Sequence, residues 1–286
     1  MRIAENWKDF EVLDTTSGEK LERWGDVLLA RPDPQIIWKT PKSKQWEKAN
    51  ARYRRSSSGG GQWQVKNMPK DSWTVNYGDL KFKISPTSFK HTGLFPEQAV
   101  NWDFVDKKIR SAGREIKVLN LFAYTGGATL AAANAGAKVT HVDASKGMVT
   151  WARENAKLSG LEDKPVRWIV DDCIKFVERE IRRGNLYDGI IMDPPSYGRG
   201  PGGEVWKLEQ QICELLTETG KLLSDDAIFF FLNSYTGGLS ATILNYMVKQ
   251  CIAGNRGGKI YTDEIGLKVT ARDIVLPAGN TTVWER

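Results

Sequence analysis

Beyond residue 98, apolar positions come in short dense runs separated by longer amphipathic stretches, and that alternation predicts strands interleaved with helices. Val118-Leu119-Asn120-Leu121-Phe122 reads as a first strand, followed by a small-residue helix from Ala128 to Gly136. Lys138-Val139-Thr140-His141-Val142-Asp143 reads as a second, followed by a helix from about Lys146 to Ser159 that Gly160 stops. Val166 to Val170 gives a third strand, and a helix runs through Phe176 to Arg183. The apolar run Tyr187 to Met192 gives a fourth, ending at Asp193-Pro194-Pro195-Ser196, because proline cannot extend a central ladder. Val205, Leu208, Ile212, Leu215, Leu216, Thr219 and Leu223 then mark one helical face. Ala227 to Leu232 is a fully apolar strand, a helix follows around Leu239 to Gln250, and Lys259–Leu267 and Thr281–Trp284 close the sheet. This order predicts an α/β fold with a doubly wound parallel sheet over residues 98–286.

Residues 1–97 read differently. Short β-like runs at Asp26 to Ala30, Gln35 to Trp38, Gln62 to Val65 and Leu80 to Ile84 alternate with turn residues, notably Arg31-Pro32-Asp33-Pro34 and Asn76-Tyr77-Gly78-Asp79. Six of the eleven tryptophans fall here. The pattern predicts a small β-rich domain, with a boundary near Pro96 and a basic, flexible loop over residues 39–61 that includes the Ser56 to Gly61 tract.

Charge sharpens this division. The net charge of +6 sits wholly within residues 1–90, since residues 91–286 carry 24 Lys/Arg and 24 Asp/Glu. Between Lys39 and Arg55, seven cationic side chains meet the single acid Glu47, with Trp46 and Tyr53 interleaved. Cations can pair phosphates and aromatic rings can stack bases, so residues 39–55 are a candidate nucleic-acid surface, with a solvated basic loop as the alternative. No apolar run reaches the roughly 20 residues needed to span a bilayer, and the N-terminus lacks a signal-peptide core, which predicts a cytoplasmic protein. Cys173, Cys213 and Cys251 lie far apart, and with only His91 and His141 beside them no metal site is expected.

The candidate chemistry lies at successive strand ends. Ala123-Tyr124-Thr125-Gly126-Gly127 forms a tight turn whose glycines allow close backbone approach to a ligand at a helix N-terminus. Asp143, with Ala144 and Ser145, follows at the spacing of an acid that accepts ribose hydroxyls. Asp171, Asp172 and Cys173 close the third strand, where a carboxylate could receive an adenine amino group. Asp193 closes the fourth. The order of a loop and three acid positions predicts a nucleoside cofactor. The full G-x-G-x-x-G dinucleotide pattern is missing, because Phe122 and Tyr124 stand where glycines would, and a loop that need not cradle a pyrophosphate favours S-adenosylmethionine. Phe122 or Tyr124 could face its sulfonium through a cation–π contact, with simple packing as the alternative.

Together with Val142 to Ser145, Ala152 to Leu161 and Asp193-Pro194-Pro195-Ser196-Tyr197, the run Val118 to Gly127 resembles the bacterial 23S rRNA methyltransferases of the large-subunit cytosine-C5 and guanine-N7 type. His91-Thr92-Gly93-Leu94-Phe95-Pro96-Glu97-Gln98 resembles the segment leading into their catalytic domain. The resemblance covers residues 77 to about 235. It implies a Rossmann-like class I methyltransferase fold and cofactor contacts at Gly126, Asp143, Asp172 and Asp193, with Phe95 and Gln98 as further candidates. Two departures stand out. Residues 1–76 show no counterpart of the family's PUA-type RNA-binding module. The cytosine-C5 members carry cysteines after the fifth strand, where this chain reads Leu232-Asn233-Ser234-Tyr235. Cytosine C5 needs a covalent thiolate adduct to become nucleophilic, so the expected reaction is direct in-line transfer to a base nitrogen. Asp193 and the Pro194 carbonyl would orient that nitrogen beside Pro195, Tyr197 could stack on an extruded base, and Asn233 could add a polar contact. A protein or small-molecule acceptor, or a non-catalytic RNA-binding protein with a retained cofactor fold, are the alternatives.

Overall fold

A computed structural model describes the chain except residues 57–59, 69, 200–204 and 236–237. It divides into two units: Arg2–Ala99 with Gly266–Ala278, and Met1, Val100–Ile265 with Gly279–Arg286.

The N-terminal unit begins with β1 (Arg2–Ile3), then β2 (Phe10–Thr16), β3 (Glu19–Trp24) and β4 (Val27–Pro32), the last three an antiparallel meander. A parallel step joins β4 to β5 (Ala51–Arg55), which pairs antiparallel with β6 (Gly61–Val65). β7 (Trp73–Tyr77) and β8 (Leu80–Ile84) make a separate hairpin turning at Gly78, whose φ of 55° suits glycine. Inward positions of the meander bury Leu21 and Ala30 against Trp46 and Ala49. Glu22 lies inside this unit with both carboxylate oxygens on Arg31, at 2.6 and 2.8 Å. Burial pushes Glu22 up, but Arg31 and Lys20 outweigh it and bring its pKa down to about 2.

Three expectations are corrected here. Gln35 to Trp38 is not a strand: it follows directly on the Pro32-Asp33-Pro34 turn, and its Trp38 and Ile36 carbonyls accept the amides of Ser17 and Gly18. Residues 39–61 are not one flexible loop, because Lys44–Lys48 forms a 3-10 turn and Ala51–Arg55 and Gly61–Val65 are paired strands. Ser57, Ser58 and Gly59, the middle of the tract read as flexible, lie outside the described residues. The segment Gly266–Ala278, read as part of the C-terminal domain, groups with the N-terminal unit. Arg272 ties it there by donating from Nε to Asp14 Oδ1 at 2.8 Å, and Val269 pairs with Val12.

In the second unit, α1 (Ala99–Ser111) leads into β9 (Lys117–Leu121), α2 (Gly127–Asn134), β10 (Lys138–Asp143), α3 (Lys146–Leu158), β11 (Val166–Val170), α4 (Cys173–Arg183) and β12 (Gly189–Met192). A hairpin of β13 (Tyr197–Arg199) and β14 (Val205–Lys207) precedes α5 (Leu208–Gly220), β15 (Phe229–Ser234) and α6 (Ala241–Val248). Val205, read as part of a helical face, lies in β14; the helix starts at Leu208. A π-helical turn, Lys249–Ala253, continues α6, and β16 (Lys259–Val269) and β17 (Ile274–Glu285) end the fold.

The strand order is β11-β10-β9-β12-β15-β17-β16, parallel from β11 to β15 with β17 antiparallel to β15. The direction of winding reverses between β9 and β12, and their carboxyl ends therefore flank the crevice where ligands bind such sheets. Each face carries its own apolar layer. Alternate residues Val118, Ile191, Phe229 and Phe231 pack with α1 and α2, whereas Leu119, Leu121, Met192, Phe230 and Leu232 pack with α4, α5 and α6.

One buried polar chain crosses this core. Asn120 Nδ2 donates to Thr129 Oγ1 at 2.9 Å, and Thr129 Oγ1 shares a second hydrogen bond, also of 2.9 Å, with His141 Nδ1, its direction set by the imidazole tautomer. Burial, with Arg153 adding to it, pulls His141 down to about pH 3. The unfolded chain thus binds a proton below about pH 6.5 that the native state refuses. Stability from the neutral imidazole is complete above that value and falls as the pH drops towards 3. For His141→Gln, the loss of unfolding free energy between pH 7 and pH 4.5 should shrink by about 2 kcal/mol relative to wild type, read by urea titration at both pH values.

Candidate active site

The turn after β9 is built around unusual backbone. Phe122 (φ 55°), Tyr124 (φ 50°) and Gly126 (φ 88°) are all left-handed. Phe122 and Tyr124 are therefore side-chain-bearing residues in conformations glycine usually takes, at a typical cost of about 1–3 kcal/mol each. Surrounding bonds impose the shape. The Phe122 amide donates to Cys173 Sγ at 3.3 Å, the Ala123 amide to the Val142 carbonyl at 3.0 Å and the Tyr124 amide to Asp143 Oδ2 at 2.9 Å. Asn155, fully buried on α3, donates from Nδ2 to the Thr125 carbonyl at 2.9 Å.

Gly126 and Gly127 start α2 in a space with no room for side chains. A Cβ on Gly127 would stand 2.5 Å from the Trp102 ring, and one on Gly126 would stand 3.0 Å from the Ala152 methyl. Gly127→Ala should therefore lower stability by about 1–3 kcal/mol, seen as a lower thermal midpoint.

At the end of β10, Asp143 uses both oxygens: Oδ2 takes the Tyr124 amide and Oδ1 takes the Ser145 amide at 2.8 Å. Burial pushes the carboxyl up, while the Ser145 and Tyr124 amides favour its charged form and work against that shift. Each oxygen has a second lone pair and can accept a ligand hydroxyl as well. Ala144 and Ser145 are exposed beside it, and Ser145 caps α3 through the Met148 amide. At the end of β11 the two acids divide. Asp171 pairs with Arg179, and Asp172 caps α4 by accepting the Lys175 amide at 3.0 Å. Cys173 is buried in the apolar layer, which raises its thiol pKa, and its sulfur supports the Phe122 turn from behind.

Asp193 follows β12, and its amide donates to the Leu121 carbonyl at 3.4 Å. Its Oδ2 accepts from the Tyr235 hydroxyl at 3.4 Å. Pro194 is buried, while Pro195 and Ser196 are exposed. The Pro195 carbonyl accepts the Trp206 indole N–H at 2.6 Å, and the Ser196 carbonyl accepts the Leu208 amide at 3.1 Å. The β13–β14 hairpin is thereby fixed to the motif, with Tyr197 half-exposed opposite Lys207. Trp206 also packs on Phe122 with ring centres 5.8 Å apart. Asn233 is almost fully buried: its Oδ1 accepts from Asn101 Nδ2 at 3.1 Å and Thr281 Oγ1 at 2.7 Å.

The fold thus assembles residues 122–127, Asp143 to Ser145, Asp171 to Cys173 and Asp193 to Tyr197 at the carboxyl ends of adjacent strands. Phe95 and Gln98 belong to the N-terminal unit, in the stretch that enters α1, where the Gln98 amide donates to the Phe95 carbonyl. Sequence reasoning missed Trp206, Tyr235, Asn101 and Thr281, which carry no motif. Asn155 had a signal, a polar residue beside Ala152 and Ala156 on the inward face of α3.

The basic segment requires another correction. Trp46 and Tyr53 are both buried, Trp46 donating to Asp14 Oδ2 at 2.8 Å and Tyr53 packed edge-on against Trp63, so neither is available to stack a base. Glu19 also neutralises part of the charge, with Lys42 at 2.6 Å, Arg52 at 3.2 Å and Arg54 at 3.7 Å. Lys39, Lys44, Lys48 and Arg55 remain exposed. Among the described residues, no group of three or more His, Cys, Asp and Glu could hold a metal ion, and no helix is long and apolar enough to cross a membrane.

The strand order and the ligand-facing strand ends define a doubly wound α/β protein with a nucleoside-type crevice. Residues 36–232 match the family model described as S-adenosylmethionine-dependent methyltransferase, and the chain belongs to that family, with S-adenosylmethionine as its cofactor. It is 33% identical over 215 residues to the ribosomal RNA large subunit methyltransferase K/L of Shewanella frigidimarina, and 35% identical over 220 residues to that of Shewanella baltica. Each alignment covers 74% of this chain, which spans only 28% of the relative's length. A solved SAM-dependent methyltransferase from Agrobacterium tumefaciens is 37% identical, with a TM-score of 0.94 over 99% of this chain and 92% of its own. A structure from Streptococcus mutans shares the fold alone, with a TM-score of 0.75 over 99% of this chain and 76% of its own at 16% identity.

Proposed function

We propose that this methyltransferase acts on RNA, most readily ribosomal RNA, and transfers the methyl group directly to a base nitrogen. The observation that carries this reading is the fixed Asp193-Pro194-Pro195 turn beside the left-handed loop, with no cysteine among the described residues at the end of β15. Relatives named for ribosomal RNA methylation support the substrate class. The site suits the cofactor through the chemistry of its donors and acceptors. Gly126 and Gly127 offer backbone without side chains, and Asp143 has acceptor capacity to spare. Residues 122–127, Asp143 to Ser145 and Asp171 to Cys173 would hold the cofactor on this reading, with Phe95 and Gln98 as further contacts. S-adenosylmethionine supplies an electrophilic methyl group when bound.

The chain's own residues would do the rest. Asp193 and the Pro194 carbonyl accept hydrogen bonds from the nitrogen to be methylated and hold its lone pair in line. Tyr235 steadies Asp193, and Tyr197 offers an exposed ring to an unstacked base. In this reading the N-terminal unit docks RNA and the unit that holds the β9–β15 strand ends carries out catalysis, and such work belongs to the cytoplasm. The test is methyl transfer from radiolabelled S-adenosylmethionine to ribosomal RNA from a strain deleted for this chain's gene, with the modified nucleoside identified by mass spectrometry. Label in a base nitrogen is expected. Label only in protein or small molecules, or none despite cofactor binding, contradicts the reading.

A further inference from the structure

With Trp46 and Tyr53 buried, Phe89 is the aromatic side chain of the N-terminal unit that stands most exposed among the described residues. Phe89 is 63% exposed on a turn held by several hydrogen bonds. Thr87 closes the turn: its amide donates to the His91 carbonyl at 3.1 Å, and its hydroxyl accepts the Phe89 amide at 3.3 Å. The β5–β6 hairpin grips the same turn. Trp63 donates its indole N–H to the Thr87 carbonyl at 2.9 Å and lies 3.3 Å from the Phe89 carbonyl, and the Tyr53 hydroxyl donates to the Ser88 carbonyl at 3.5 Å. Phe89 is thus presented to solvent on a framework ordered before any partner arrives, which lowers the entropy cost of binding.

Its surroundings are cationic. Arg55 is exposed on the hairpin that holds the turn and lies near enough to Lys90 to act on its charge, and Lys90 follows Phe89 directly. Burial pulls Lys90 below its ordinary pKa; Lys20, Arg31 and Arg55 add to the shift, and Asp33 offsets part of it. Burial, with Arg31, Lys90 and Lys20 adding to it, holds His91 down to about 4. A fixed, exposed ring within positive potential matches a single-stranded polyanion whose bases carry π-faces, the combination that sequence-tolerant binders use.

We infer that the Phe89 turn, with Lys90 and with Arg55 of the β5–β6 hairpin, is a stacking platform for single-stranded RNA. This rests on the RNA reading proposed above. The charge around Phe89 favours RNA over a second copy of the chain, since a two-fold contact would set like charges against each other.

The test is fluorescence anisotropy of the full chain with a labelled single-stranded RNA of about a dozen nucleotides. Phe89→Ala should weaken binding about tenfold and Phe89→Leu nearly as much, because an aliphatic chain fills space without a π-face. Phe89→Trp should restore binding. Arg55→Glu should flatten the dependence of binding on salt, which Phe89→Ala leaves unchanged. Wild-type affinity in Phe89→Ala overturns the platform and leaves the RNA reading intact, whereas a wild-type chain with no affinity for RNA overturns both. A variant that dissociates a dimer in sedimentation while RNA binding stays unchanged assigns the patch to self-association and also overturns the proposal.

Discussion

Replacing Asp193 with alanine should reduce single-turnover methyl transfer by at least about a hundredfold, the scale expected when a reacting group loses its alignment. Cofactor affinity should change far less. In the proposed mechanism the Asp193 carboxylate orients the acceptor nitrogen, and its Oδ2 already accepts from Tyr235 at 3.4 Å. Asp193→Asn separates geometry from charge, because an amide keeps one acceptor oxygen and the shape of the side chain. It should fall between wild type and alanine. Tyr235→Phe should cost less than either, since it removes only a support. Wild-type transfer rates in Asp193→Ala on the true substrate would exclude this mechanism, whatever the affinity for cofactor.

The second large effect is expected at Asp143. Asp143→Ala should weaken S-adenosylmethionine binding about a hundredfold, or ~2.7 kcal/mol, by isothermal titration. The loss has two sources: acceptors for the ligand, and the two bonds to the Tyr124 and Ser145 amides that hold the left-handed turn. Without them the turn can relax away from the strained conformations of Phe122 and Tyr124. Asp143→Asn should be almost as damaging. One of its two terminal atoms would be an NH2 facing a backbone N–H, and donors cannot bond donors. The pH dependence has a definite sign. Burial raises the Asp143 pKa, so acidification should protonate it, and weaken cofactor binding, at a higher pH than an ordinary aspartate would require. Unchanged affinity in both variants would remove Asp143 from the cofactor site.

Much of this site was legible because its signals are local. A strand, an acid and a glycine turn lie within a few residues of one another, and parallel winding brings successive strand ends to one edge. Phe122 and Tyr124 were recognisable as occupants of glycine positions, but their left-handed backbone was not, since it depends on Cys173 and Asp143 accepting their amides. Trp206 lies 11 residues from Pro195, and nothing local in the sequence marks its indole as the partner of the Pro195 carbonyl. In the N-terminal unit the reach is longer: Trp46 is buried because Asp14 accepts its indole, 32 residues away.

By itself, then, the sequence determined the alternation of strands and helices, the acids at successive strand ends and the nucleoside cofactor. Each of these follows from periodicity or spacing along a short stretch of chain. Tertiary structure decided which polar groups were already engaged. It gave Asp171 to Arg179, Asp172 to the α4 cap and Asn233 to Asn101 and Thr281, and it placed Gly266–Ala278 with the N-terminal strands. It also buried Trp46 and Tyr53 and left Phe89 exposed. The physical reason is that burial and hydrogen-bond satisfaction depend on partners brought together from distant parts of the chain, whereas strand and helix periodicity depends on near neighbours.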